Sequence, residues 1–144
     1  MRTLLAIPAL GLSLLLAPAA GADNVVRDVR KACQVSVPAD WTVQGSTAWA
    51  AGKKASATVH GLRPNQNFET GKDFVKQAMK PIKVVQDDAK RLIYTMDPGP
   101  AAAGKNGWYV VLNSTPVCTV SFTFGDGFDE AALRKVADTL GPAK

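Results

Sequence analysis

The stretch that decides the fold lies near the C-terminus, where residues 117–124 read VCTVSFTF. Apolar side chains and a cysteine occupy the even positions of this stretch, and the odd positions carry mostly hydroxyl side chains. A period of two residues is typical of a β-strand that turns one face toward an apolar core. We therefore predict a half-buried strand here, with Cys118 on its apolar side.

The second cysteine lies in a similar pattern far upstream. In residues 33–37 (CQVSV), Cys33 shares one face with Val35 and Val37. Cys33 and Cys118 are the two cysteines of the chain, and an exported chain meets an oxidising compartment. We predict a Cys33–Cys118 disulfide that ties the first strand to the last, with two buried free thiols as the alternative. On the chain-entropy account, closing a loop of this length stabilises by about 4–5 kcal/mol.

The rest of the chain divides into strands, turns and two helices. Thr70 and Asp73 have the spacing of a capping box, and apolar residues follow at helical spacing until Pro81. Asp129 is predicted to cap a C-terminal helix that stops at Gly141-Pro142. Residues 23–32 could be a helical turn or a loose lead-in. Further predicted strands are 34–37, 46–51, 55–60, 82–86, 90–96 and 107–113, besides the strand at Cys118.

This order predicts an α+β fold, an antiparallel β-sheet flanked by two helices. Short turns join the late strands, which favours antiparallel pairing, and each helix has a single apolar stripe to bury against the sheet. In residues 107–113, Trp108 and Val110 share one face with Leu112, and Tyr109 lies on the other with Val111. That second face needs a helix or a partner to cover it, or it stays an apolar patch.

The N-terminus has the three parts of a secretory signal peptide. Arg2 precedes an apolar run, 4–16, and small residues end at Ala22. We predict cleavage after Ala22, a signal peptide at 1–22 and one α+β domain at 23–144. The predicted location is periplasmic or secreted. A membrane-spanning helix needs roughly 18 or more consecutive apolar residues, and no apolar run after the predicted signal peptide is that long.

One short motif and the element order carry a resemblance to a known family. Residues 35–41 read VSVPADW, an apolar strand followed by proline and tryptophan, and Asp40 stands where the family often has glycine. The chain resembles the fold shared by the PsbP extrinsic subunit of photosystem II, a Ran-binding nuclear protein and bacterial periplasmic proteins of the DcrB type. The resemblance implies a sheet flanked by helices and an accessory or binding role without catalysis.

Composition and motif searches narrow the chemistry. The formal net charge is +5, but the basic residues form small groups with acids nearby, so we expect no nucleic-acid partner. Two cysteines with His60, the one histidine, cannot make the usual four-ligand zinc site without carboxylates, and we expect neither a metal nor a cofactor. A Ser/His/Asp triad would have to use His60, and the G-x-S-x-G elbow is absent from the sequence.

Three functional hypotheses remain. The first is an exported, non-enzymatic accessory or protein-binding module with an unidentified protein partner in the cell envelope. Its candidate contact residues are Trp49, which lies in a small-residue strand, and Tyr109. The second is a small secreted hydrolase that uses His60, and the third is a carrier of a small apolar ligand between sheet and helices. A cleft that joins His60 to a carboxylate and a hydroxyl would favour the second, and an aromatic-lined pocket with an entrance the third.

Overall fold

A computed structural model of the chain describes residues 23–62, 66–79, 81–100 and 105–144. The predicted signal peptide at 1–22 lies outside the described residues. The sequence also predicts a turn at Pro64-Asn65 and an exposed loop at 97–107. That turn and residues 101–104 of the loop lie outside the described residues as well. The signal peptide, its cleavage after Ala22 and the single-domain prediction therefore stay predictions.

The described residues form strands in two sheets and two α-helices. The helices are α1 (Phe68–Met79) and α2 (Glu130–Asp138). The strands are β1 (Asn24–Arg27), β2 (Cys33–Val37), β3 (Thr42–Gln44), β4 (Thr47–Trp49), β5 (Ala55–Gly61), β6 (Pro81–Asp87), β7 (Arg91–Met96), β8 (Lys105–Leu112), β9 (Cys118–Gly125) and β10 (Gly141–Pro142).

Every strand pair in both sheets is antiparallel. The larger sheet has seven strands in the order β3-β4-β5-β9-β8-β7-β6, and the smaller has the order β1-β2-β10. The late strands β6 to β9 follow one another as hairpins, as their short turns predict. β9 lies at the centre of the larger sheet because β5 pairs with its free side over seven residues.

Different elements pack against the two faces of the larger sheet. On one face, the smaller sheet and α2 enclose a core that includes Val35, Val110, Phe122 and Leu133. On the other face, α1 packs Phe68 and Val75 against residues of β7 and β8. Trp108 and Tyr109 belong to different cores, so the predicted division of β8 into two faces is confirmed. The α+β class with two flanking helices is likewise confirmed.

The predicted disulfide is present and connects the two sheets. Cys33 at the start of β2 is bonded to Cys118 at the start of β9, and their Cα atoms lie 5.6 Å apart. β2 is not the first strand, however, and β9 is not the last. The interpretation of residues 23–32 as a helical turn or loose lead-in is wrong for 24–27, which form β1. Val26 is buried there and pairs with Val35 of β2.

The helices begin where side chains cap them. Asp129 accepts a hydrogen bond from the backbone N–H of Ala131 at 2.9 Å, as predicted. The start of α1 differs from the prediction, which placed it after Thr70. Asn67 Oδ1 accepts the backbone N–H of Thr70 at 2.8 Å, so an asparagine cap adds a turn and the helix begins at Phe68.

Candidate functional site

Trp49 and His60, two of the residues singled out from the sequence, lie on the part of the α1-side sheet face that α1 leaves accessible. Strand register puts Trp49 opposite Ser56 and then Thr123 across β4, β5 and β9. The next row runs from Thr47 through Thr58 and Ser121 to Tyr109. We call this region the open face and define it by Thr47, Trp49, Ser56, Thr58, His60, Ser121 and Thr123. All of these side chains are half-buried except that of His60, which is exposed.

The hydroxyl groups of the open face are arranged in pairs across neighbouring strands. Ser56 Oγ and Thr123 Oγ1 lie 2.6 Å apart, and Thr47 Oγ1 and Thr58 Oγ1 lie 2.9 Å apart. In each pair one hydroxyl donates and the other accepts, so the accepting hydroxyl keeps its own O–H for an external acceptor. The open face is therefore a fixed, uncharged array of hydroxyl groups beside one indole ring.

Trp49 is the aromatic residue of the open face. It is the last residue of β4 and pairs with Thr42 on one side and Ser56 on the other. The neighbouring Ala48 is completely buried on the opposite face, which fixes the direction of the Trp49 side chain. A half-buried indole among small polar side chains can offer a partner both apolar area and an N–H donor.

His60 lies at one end of the open face, on β5. Its ring is nearly parallel to that of Tyr109, with 6.4 Å between the centroids, and its Nε2 is 3.4 Å from Ser121 Oγ. Desolvation by the surrounding protein lowers the pKa of His60, and the negative charge of Asp28 opposes that shift. The imidazole is accordingly neutral at pH 7.

The nearby carboxylate of Asp28 is occupied by the backbone. Its oxygens accept N–H groups of Arg30 at 3.2 Å, Ala32 at 2.6 Å and Cys33 at 2.8 Å. No hydrogen bond joins it to His60 in the part of the chain that the structure describes. A triad needs the carboxylate to orient the imidazole, and a base within about 3.2 Å of the hydroxyl. Asp28, His60 and Ser121 are neighbours without the contacts of a triad.

Tyr109, the second predicted contact residue, lies under α1. It is 7% exposed, and its hydroxyl lies 3.3 Å from Thr119 Oγ1. Its ring stacks on that of Tyr94, with centroids 5.7 Å apart. α1 is thus the cover that the sequence analysis required for this face. A contact role for Tyr109 stays a prediction, and the structure leaves little of the ring for a partner to touch.

A depression lined partly by aromatic residues lies elsewhere, near the end of β7 and the start of β8. It measures about 390 Å³, and its walls include Ile82, Thr95, Trp108 and Phe124. Trp108 is 4% exposed, because Phe124 packs edge-on against its ring and the Arg134 guanidinium lies 5.5 Å from the ring centroid. The Trp108 indole is therefore already packed against protein side chains, which gives the hypothesis of a carrier of apolar ligands little support.

The described residues contain neither a cluster of metal ligands nor a membrane-spanning helix. Residues 23–62, 66–79, 81–100 and 105–144 hold no group of three or more His, Cys, Asp or Glu side chains arranged for a metal ion. Neither α1 nor α2 is long and apolar enough to cross a membrane.

Comparisons with known proteins give structural likeness without a sequence match. No protein-family model matches the chain, and no curated protein matches it. The chain is similar to the solution structure of cyanobacterial PsbP (CyanoP) from Synechocystis sp. PCC 6803, at 11% sequence identity and a TM-score of 0.47. The match covers 95% of this chain and 97% of that chain. At this identity and TM-score the likeness carries no information on partner or activity, and the DcrB part of the resemblance stays a prediction.

The sequence analysis singled out Trp49 and His60 as candidates but did not predict the hydroxyl pairs between them. The odd positions of 119–123 and the polar positions of 55–60 were visible as period-two patterns. What was missing was the pairing of β5 with β9, which are more than 50 residues apart in sequence and meet in the register Ser56 to Thr123. Without that register, two polar strand faces cannot be placed next to each other.

Proposed function

We propose that the protein is an exported, non-enzymatic binding module that contacts a protein partner of the cell envelope through its open face. The observation that carries the proposal is the half-buried Trp49 ring beside cross-strand hydroxyl pairs, on the part of the sheet that α1 does not cover. Tryptophan is enriched among residues that dominate binding energy, and a rigid sheet holds it at low entropic cost.

The location part of the proposal has separate support. The N-terminal 22 residues have the composition of a signal peptide, and the fold uses a disulfide between its two sheets. A fusion of residues 1–22 to a reporter that is active only after export tests this part. Retention of the reporter in the cytoplasm would contradict it.

Site-specific photo-crosslinking tests the contact surface. A photoreactive phenylalanine derivative is placed at position 49 in the full chain, and in a control chain it replaces Phe74, which lies on α1 and is 54% exposed. Both positions are accessible aromatic sites, but only position 49 is on the open face. We expect a discrete crosslinked protein from position 49 that excess unlabelled protein suppresses. Equal products from both positions, or none from position 49, would refute the open face as the contact surface.

A further inference from the structure

The turn between β1 and β2 is an unusual surface feature that is not part of the open face. At its tip Val29 is 90% exposed, more than any other large hydrophobic residue among those the structure describes. Arg27, Arg30 and Lys31 are exposed around it. We call residues 27–31 the basic turn. A single exposed valine is common on protein surfaces. A valine at an exposed turn with three cations beside it is instead typical of a surface that meets both charged groups and an apolar layer.

The basic turn is held rigidly from below. The buried Asp28 carboxylate accepts three backbone N–H groups, and the N–H of Lys31 donates to the Asp28 carbonyl oxygen at 2.8 Å. Lys31 has a φ of 56°, a conformation that glycine or asparagine adopts at lower cost. Cys33, anchored by its disulfide, lies two residues after Lys31. The tip is thus a preorganised projection and Val29 is presented without a large ordering cost.

A groove of about 420 Å³ lies between the basic turn and the β3–β4 turn. Val25, Arg27, Val29 and Lys31 line one side, and Gly45 with Ser46 forms the other. Asp28 also lines it, but its oxygens face backbone N–H groups. The groove therefore combines apolar side chains with two cations whose charges are not neutralised by a paired carboxylate in the described residues.

We propose that the basic turn docks the protein on an anionic phospholipid surface. Arg27 and Lys31 bind lipid phosphates from the groove, Arg30 adds positive charge, and Val29 enters the interfacial layer. The positive charge of the basic turn favours an anionic surface. The exposed apolar tip favours a deformable lipid layer over a folded acidic protein, because such a protein would need a matching cavity for Val29. Arg30 keeps its position through hydrogen bonds from its Nη2 to the carbonyl oxygens of Gly61 and Leu62 at 2.8 and 3.1 Å.

Vesicle sedimentation tests the proposal. The probe is vesicles of phosphatidylglycerol and phosphatidylcholine, compared with phosphatidylcholine alone, with disulfide-bonded protein that lacks residues 1–22 and so retains every described element. We expect binding only to the anionic vesicles, weakened by salt. Arg27→Gln and Lys31→Gln should each lower the partition coefficient about fivefold, since one basic residue near such a surface contributes about that factor. Val29→Ser should lower it several-fold as well.

Matched variants elsewhere separate a specific site from general positive charge. Lys53→Gln removes one charge from another exposed turn residue with a positive φ, 54°, at the opposite end of β5. Val84→Ser removes a 48%-exposed valine from the far strand of the sheet. Both should bind vesicles like the unmodified protein, and thermal melts should confirm that all five variants fold. No preference for anionic vesicles, equal losses in Lys53→Gln and Lys31→Gln, or binding of an acidic peptide without vesicle binding would overturn the proposal. The open-face proposal is unaffected by any of these results.

Discussion

The disulfide between Cys33 and Cys118 joins the start of β2 to the start of β9, and so fastens the small sheet to the central strand of the large one. Both cysteines are completely buried. The bond therefore closes a loop with a sequence separation of 85 residues at the place where the two sheets pack.

Removal of this bond is expected to destabilise the protein strongly. A Cys33→Ala, Cys118→Ala double variant should lose about 4–5 kcal/mol of unfolding free energy on the loop-entropy account, plus a packing contribution from the lost sulfur atoms. Urea unfolding of the variant, and of the unmodified protein with and without reductant, measures this. Thiol titration of denatured, non-reduced protein is the control and should find no free thiol. An unchanged midpoint in the variant would show that the bond contributes nothing.

Two stacked tyrosines should respond to the same substitution in opposite ways. The Tyr94 hydroxyl is buried and has no hydrogen-bond partner among the described residues, while that of Tyr109 pairs with Thr119. Tyr94→Phe should therefore leave stability unchanged or raise it by about 1 kcal/mol, and Tyr109→Phe should lower it by about 1 kcal/mol. Denaturant unfolding compares them directly. A clear loss in Tyr94→Phe would mean that this hydroxyl has a partner after all.

The ion pairs of Asp87 should make stability depend on acid pH. Hydrogen bonds from Lys72 and Lys76, at 3.1 and 3.2 Å, hold the pKa of Asp87 below its ordinary value. A carboxyl with a lowered folded-state pKa stabilises above its unfolded pKa of about 3.9, and this is lost as pH falls through the folded value. Asp87→Asn should be less stable than the unmodified protein at pH 7, and the difference should shrink as the pH falls below about 3.9.

The matched control for Asp87 is Glu69→Gln. Glu69 also pairs with Lys72, at 3.3 Å, but its side chain is 77% exposed. Exposed pairs contribute little, so this variant should lose less stability at pH 7 than Asp87→Asn. Stability measured between pH 2 and 7 tests both, and a constant Asp87→Asn difference across that range would rule out the ion pairs as its origin.

The hydrolase alternative makes a direct chemical prediction. Among the described residues no carboxylate is hydrogen-bonded to His60 beside Ser121, so a fluorophosphonate that labels activated serines should leave the protein unmodified. Ser121→Ala is the matched variant, and a serine hydrolase is the positive control. Labelling that disappears in Ser121→Ala or His60→Ala would contradict the non-enzymatic proposal and restore the second hypothesis.

The sequence by itself determined the class of fold, the disulfide and the faces of single strands. These features depend on local periodicity. Apolar and hydroxyl side chains alternate in residues 117–124, and Trp108 and Tyr109 lie in different cores because neighbouring residues of a strand point to opposite faces. A cysteine on each of two apolar faces, in a chain with predicted export, favoured the disulfide over two buried free thiols, and the structure confirms the bond. The C-terminal helix was also predictable, because Asp129 caps it through a contact two residues away.

Only the tertiary structure decided which faces meet and which stay accessible. The sequence did not predict β1, because its four residues have no clear alternation of apolar and polar side chains. Pairing with β2 and the burial of Val26 stabilise this strand. The open face exists because β5 adds to the free side of β9, and α1 is too short to cover both halves of a seven-stranded sheet. Strand pairing between distant segments sets such surfaces, and no short-range pattern encodes it.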